Sequence, residues 1–346
     1  MKYIKGLDGL RAIAVLLVIV SHWFAFVPFI HGMLLGKIGV DVFFVISGFL
    51  ITKILFHNRI AIKEKGVSIF KSLSVFIGKR TVRIFPIYYL LVLFLYLSNG
   101  DEFRDGIVYY LTYTSNYYFY NTQSWHGFVG HFWSLAVEEQ FYLFWPLFIF
   151  FIKQRYLFLF LIFTIVLGSA YPYFLSQSMT SILTLSCVNA FAIGALLSYV
   201  LVYKPSYTQL FYNFLKVLTY PLVVVFLLQL FGLKIPYYPH RLIVSLLTLR
   251  LILLCVEAPN TYIFKFLNLK VLRFIGKISY GIYLYHNFIP SYWNRIFRVN
   301  QIEQPQLLQG GFKYIVYFVL LLLISYASWI LIEQPFLKLK KHLTNE

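Results

Sequence analysis

Residues 9–28 read Gly9-Leu10-Arg11-Ala12-Ile13-Ala14-Val15-Leu16-Leu17-Val18-Ile19-Val20-Ser21-His22-Trp23-Phe24-Ala25-Phe26-Val27-Pro28. As a helix rising about 1.5 Å per residue, this stretch is about 30 Å long, the thickness of a bilayer's hydrocarbon core. Its ionisable side chains are Arg11 and His22 alone. The apolar run continues into Trp23 and Phe24 with no small-residue cleavage site, which marks a retained span and not a signal peptide. Runs of similar length recur at 38–57, 82–98, 134–152, 156–175, 182–203, 212–232, 239–257, 273–292 and 313–333. The chain holds 60% hydrophobic and 12% charged residues, against about 25% charged in soluble domains. That excludes a soluble enzyme, a disordered chain and a coiled coil. The expectation is an all-α integral membrane protein with about ten transmembrane helices in one bundle, a single domain over residues 1–346.

The net charge of +18 is carried by the loops. One alternate set of loops holds most of the cations, from Lys2 and Lys5 through Arg59, Lys63, Lys65, Lys71 and Lys79 to Lys270, Arg273, Lys277, Lys338, Lys340 and Lys341. The other set holds only Lys37, Arg104, Lys234, Arg241, Arg295, Arg298 and Lys313. The positive-inside rule then places both termini in the cytoplasm. These cations are dispersed among short loops with no RNA- or DNA-binding motif around them, so no nucleic-acid partner is expected. Cys187 and Cys255 lie in apolar runs and offer neither a disulfide framework nor metal-ligand spacing. Within 58–81, Ile69, Phe70, Leu73, Phe76 and Ile77 set among Lys71, Lys79 and Arg80 predict an amphipathic helix on the inner leaflet. The loop 99–133 faces outward and is rich in Tyr and Asn. Its Tyr117, Tyr118, Tyr120 and Trp125 suit either sugar stacking or interfacial anchoring.

Ionisable residues inside spans are costly, and each is a functional hypothesis with structural pairing as its rival. Arg11 and His22 share one helical face within about 20°, about 16 Å apart along the axis. Arg11 falls near the cytoplasmic boundary, where snorkelling or pairing with Asp8 is the rival reading. His22 falls in the outer half, where the rival is a hydrogen-bonded core histidine. Arg80 and Arg83 are spaced i, i+3 and suit a polyanion such as phosphate, with anionic lipid as the rival. Glu138 and Glu139 lie one to two turns below the outer surface, deeper than a helix N-terminus requires. Their side chains point about 100° apart, so one of them is expected to face any given site. Asp41 and His286 join this outer layer, and Glu333 joins Arg11, Arg80 and Arg83 in the inner one.

The pieces Leu7-Asp8-Gly9-Leu10-Arg11 with His22 ten residues on, Gly39-Val40-Asp41 through Ser47-Gly48, Arg80-Thr81-Val82-Arg83-Ile84-Phe85-Pro86, Trp133-Ser134 through Glu138-Glu139-Gln140-Phe141-Tyr142, Ser279 to His286, and Ile332-Glu333-Gln334-Pro335-Phe336 stand in one order. In these the chain closely resembles the membrane acyltransferase-3 family, integral-membrane O-acyltransferases of bacterial surface glycans. The resemblance implies a ten-helix acyltransferase of the bacterial cytoplasmic (inner) membrane. The implied donor is cytoplasmic acyl-coenzyme A, usually acetyl-CoA, with no permanently bound cofactor. The implied acceptor is a hydroxyl of a surface carbohydrate such as O-antigen lipopolysaccharide, capsule or exopolysaccharide, lipid-linked or free. Many relatives carry an appended extracytoplasmic esterase-like domain, and none is expected here.

On this reading Arg11, Arg80 and Arg83 hold the coenzyme's phosphates, and His22 acts as general base or carries the acyl group itself. Glu138 or Glu139 orients the histidine as a triad acid does. Asp41 belongs to the same layer as the acceptor, and Ser47, Tyr142 and His286 are candidate contacts to the acceptor or the oxyanion. The rival from another class is a transporter, flippase or export-complex subunit without acyl chemistry, against which stand the absence of an inverted repeat and of paired broken helices.

Overall fold

The computed structural model describes residues 3–98, 101–175, 177–233, 239–299 and 310–343. Lys2 and Lys234 of the loop comparison, and the Arg298 side chain, lie outside the described residues. Among the described residues the chain is helical and without strands. The helices used below are α1 (Gly6–Trp23), α2 (Leu35–Lys65), α3 (Ile69–Ser98), α4 (Phe132–Phe151), α5 (Leu157–Ala170), α6 (Thr184–Tyr203), α7 (Thr208–Leu230), α8 (His240–Glu257), α9 (Lys270–Lys277), α10 (Ser279–Tyr285), α11 (Phe288–Val299) and α12 (Phe312–Ser328).

The centre is formed by α1, α2 and α6, with α4, α5, α8, α9 and α10 packed around them. Small residues allow the closest crossing. A side chain at Gly48 would meet the Phe191 carbonyl oxygen at 2.1 Å, and one at Gly194 would meet that of Val45 at 2.1 Å, so α2 and α6 touch backbone to backbone. The outer faces stay apolar: Leu90, Leu93, Phe94, Phe144, Phe163, Val224 and Leu323 are all exposed. On α7 only Leu215 is buried. Apolar residues turned outward in this number need a hydrocarbon solvent, and the chain is a multi-pass membrane protein.

Seven helical stretches among the described residues are long and apolar enough to cross a bilayer. Of the other expected spans, 134–152 falls on α4 and 239–257 on α8. The expected span 273–292 is not one helix. It is broken at Ile278 and again at His286 and Asn287 into α9, α10 and α11. The stretch predicted to lie flat as an amphipathic helix continues without interruption into the third span as α3, with Ser72, Val75 and Phe76 turned into the protein. After α12 the helix widens into a π turn over Trp329–Glu333. Pro335 causes this, because it has no N–H to donate and its ring crowds the carbonyl four residues back. Tyr3 and Lys340 line one hollow, so the two ends of the described chain meet at the same face.

Candidate active site

The first span presents Arg11 and His22 at opposite ends of α1, as their shared helical face requires, and each opens into a different hollow. At the face where the chain ends meet, a hollow of about 680 Å³ is lined by Arg11, Arg83, Lys270, Arg273, Lys277 and Lys340, with Asp8 as its one carboxylate among the described residues. Asp8 accepts from Tyr3 OH and from Arg11 Nη1 at 3.2 Å. The rival reading of Arg11 as a partner of Asp8 is thus realised, and Arg11 still lines the hollow.

Arg11 and Arg83 also line a deeper cavity of about 90 Å³, together with Ser47, Arg80, Ser134, Glu138, Glu139, Tyr142 and Tyr283. Ser47 Oγ and Tyr142 OH both donate to Glu138 Oε1 and lie 3.2 Å apart. Both glutamates line this cavity, although only one was expected to, and Glu139 also borders a lateral hollow beside Tyr89 and Tyr113. Arg80 lies over the rings of Phe76 and Tyr142 at 5.7 and 5.6 Å. It is absent from the larger basic hollow, so the three arginines are divided: Arg11 and Arg83 at the junction, Arg80 deeper. Among the described residues neither Arg80 nor Arg83 has a carboxylate within salt-bridge distance, and Arg80 Nε is buried without a hydrogen bond.

His22 is exposed to a third hollow of about 390 Å³ at the opposite face, shared with Trp23, Phe128, Asn287, Ser291 and Tyr314. Its partner is neither glutamate. His22 Nδ1 lies 2.6 Å from His286 Nε2, and His286 Nδ1 lies 2.6 Å from the Tyr283 carbonyl oxygen. A carbonyl only accepts, so His286 Nδ1 carries a proton and a neutral His286 accepts at Nε2. His22 then donates from Nδ1, and its Nε2 is left as the free lone pair. His286, a candidate contact to the acceptor or oxyanion from the sequence, is fully buried and hydrogen-bonded to His22.

The break in the ninth span builds this pair. Trp23 Nε1 donates to the His286 carbonyl at 2.9 Å, and Asn287 Nδ2 lies 3.1 Å from His131 Nδ1. His131 Nε2 in turn donates to the Leu284 carbonyl at 3.2 Å. Tyr283 joins the two regions: its hydroxyl meets Ser134 on the deeper cavity, and its carbonyl holds His286. Periodicity gave no signal for His131, Asn287 or Tyr283, because their roles depend on a helix break held by tertiary contacts.

Asp41 is withdrawn from the site. It pairs with Arg241 Nε at 2.7 Å, and Arg241 also donates to the carbonyls of Ser181 and Ser186. Charge counting places Arg241 among the loop cations and says nothing of this pairing. Glu333 is buried on the π turn, with Oε1 lacking a hydrogen bond. In the segment 101–131, Tyr118 is stacked between Tyr109 and His126 while Tyr117 and Trp125 remain exposed, and Gln140 anchors the segment through the Tyr113 carbonyl at 2.7 Å and Asn116 at 3.0 Å.

Residues 4–333 match the family described as Acyltransferase domain. O-acetyltransferase OatA of Staphylococcus aureus strain NCTC 8325 / PS 47 is 30% identical over 97% of this chain and 58% of the relative. OatA of Staphylococcus aureus strain COL matches to the same extent. The chain therefore spans 58% of the length of these curated relatives. No solved structure matches it. With the family match covering nearly the whole chain and the motifs gathered around three hollows, the chain belongs to the acyltransferase-3 family of membrane acyltransferases.

Proposed function

We propose that this chain is a membrane O-acetyltransferase that takes an acetyl group from cytoplasmic acetyl-CoA and places it on a carbohydrate hydroxyl across the bacterial cytoplasmic membrane. The observation that carries the reading is the opposition on one helix of a basic hollow at Arg11 and an exposed, tautomerically fixed histidine at His22. The names of the relatives supply the acetyl group, and the positive-inside rule makes the basic face cytoplasmic.

In this reaction the phosphates of the donor lie at Arg11 and Arg83, and the pantetheine arm enters between them. The thioester passes the cavity of Ser47, Glu138 and Tyr142 toward His22. The acceptor oxygen attacks the acyl carbon, the C–S bond breaks, and His22 Nε2 takes the hydroxyl proton while coenzyme A leaves as thiolate. A two-step route through an acyl group on Nε2 uses the same tautomer.

The test is mass spectrometry and proton NMR of surface polysaccharide from cells lacking the gene, complemented with wild type or His22→Ala. Loss of an acetyl signal that wild type alone restores is the expected outcome. An unchanged glycan, together with no transfer of radiolabelled acetyl in vesicles holding only this protein, reopens the transporter reading.

A further inference from the structure

The mechanism above uses Arg11 and Arg83 and leaves the outer part of the basic hollow without a task. Its cations come from four separate parts of the chain: Arg11 from α1, Arg83 from α3, Lys270, Arg273 and Lys277 from α9, and Lys340 from the turn near the end of the described chain. Six cations around one hollow with a single carboxylate repel one another, and no other acid among the described residues lines the wall to compensate. Ordinary snorkelling lysines spread outward into water, whereas these converge.

The convergence is built into α9. Lys270, Arg273 and Lys277 are spaced i, i+3, i+7, which puts all three on one face of the helix. The flank of the same helix is pressed onto α1 at the wall of the hollow: a side chain at Gly276 would meet the Asp8 carbonyl oxygen at 1.8 Å. A glycine here is what lets the cationic face of α9 stand beside Arg11. Arg273 Nε is buried without a hydrogen bond. Phe274 and Trp329 supply apolar rings on the same wall, with Lys277 Nζ 5.3 Å from the centre of the Trp329 ring.

We infer that this outer hollow is a nucleotide site that grips the ribose 3′-phosphate of the donor coenzyme through Lys270 and Lys277, with Arg273 and Lys340 beside them, while Arg11 and Arg83 hold the pyrophosphate. The inference rests on the proposed acyl-CoA donor. A volume of about 680 Å³ is within the range of ligand pockets, roughly 300 to 1,000 Å³, and suits a phosphorylated adenosine. The 90 Å³ cavity beyond it suits only the narrow acyl end. The shared chemistry is a cluster of phosphate esters, which a lipid headgroup also offers, so the experiment separates the two sources.

Lys270 and Lys277 are exposed, and their replacement by Gln leaves the packing of α9 intact. Wild type and the Lys270→Gln/Lys277→Gln double variant are placed in phosphatidylcholine nanodiscs, and binding of coenzyme A and of dephospho-coenzyme A is measured for each. Wild type is expected to prefer coenzyme A by about tenfold or more, and the double variant to bind both alike with its affinity for dephospho-coenzyme A unchanged. Equal wild-type binding of the two ligands, or a preference that survives the double substitution, overturns the nucleotide site while the donor reading stands. If wild type binds neither ligand, the donor reading falls and this site with it. Repeating the measurement with phosphatidylglycerol in the discs tests the other source. Loss of the preference there, through headgroups that displace coenzyme A, assigns the cluster to lipid and overturns the proposal.

Discussion

The pair His22 and His286 works as a unit because a backbone carbonyl closes it. Removing His286 leaves His22 free to adopt either tautomer, and the wrong one presents a proton where a lone pair is needed. His22→Ala is expected to lower acetyl transfer by about 10²- to 10⁴-fold. His286→Ala is expected to lower kcat by about tenfold or more with the donor KM unchanged, and His286→Gln, whose side-chain oxygen accepts from Nδ1, to recover part of it. Steady-state kinetics of the purified variants decides this, and an unaltered kcat in His286→Ala removes the positioning role. The sequence named both histidines but paired His22 with a glutamate, since helical spacing within one span says nothing about which side chain a neighbouring span delivers. Asp41 shows the same limit. Its depth marked it as functional, yet its partner Arg241 lies 200 residues away. Asp41→Ala leaves the half-buried Arg241 without its carboxylate, which costs up to about 3 kcal/mol. A lowered Tm in detergent, largely restored in Asp41→Ala/Arg241→Leu, is the expected result. A variant with wild-type Tm and a raised acceptor KM returns Asp41 to the substrate.

At the scale of helices, most spans were legible because an apolar run of bilayer length admits few structures. The ninth was not. Its residues are as apolar as a continuous helix requires, and the break at His286 and Asn287 is held by tertiary contacts, Trp23 on the His286 carbonyl and Asn287 on His131. The close approach of α9 to α1 was equally hidden, since a glycine in a helix announces no partner. Gly276→Ala is expected to force the two helices apart and destabilise the protein by about 1–3 kcal/mol. Gly32→Ala, where the added carbon meets nothing, serves as the neutral comparison. Equal thermal stability of the two variants contradicts the tight contact.

For the whole molecule, the reaction has a direction only if the two faces lie in different compartments. Charge asymmetry predicts the Lys63 end of α2 in the cytoplasm and the segment carrying Trp125 outside. Cys187 and Cys255 are both buried, so a single introduced cysteine is the accessible thiol. Lys63, in the last turn of α2, and Trp125, in the segment after α3, are both exposed and are separated along the chain by the length of α3. With a membrane-impermeant maleimide, Trp125→Cys is expected to label in intact cells and Lys63→Cys only after permeabilisation. The same sidedness governs the chemistry. Inverted vesicles, whose basic hollow faces the medium, are expected to use added acetyl-CoA to acetylate acceptor in their lumen, and sealed right-side-out vesicles to leave it unused. Labelling of Lys63→Cys in intact cells reverses the orientation. It then sets the hollow that reads as a donor site against a compartment without coenzyme A, and the transfer from Arg11 toward His22 loses its source.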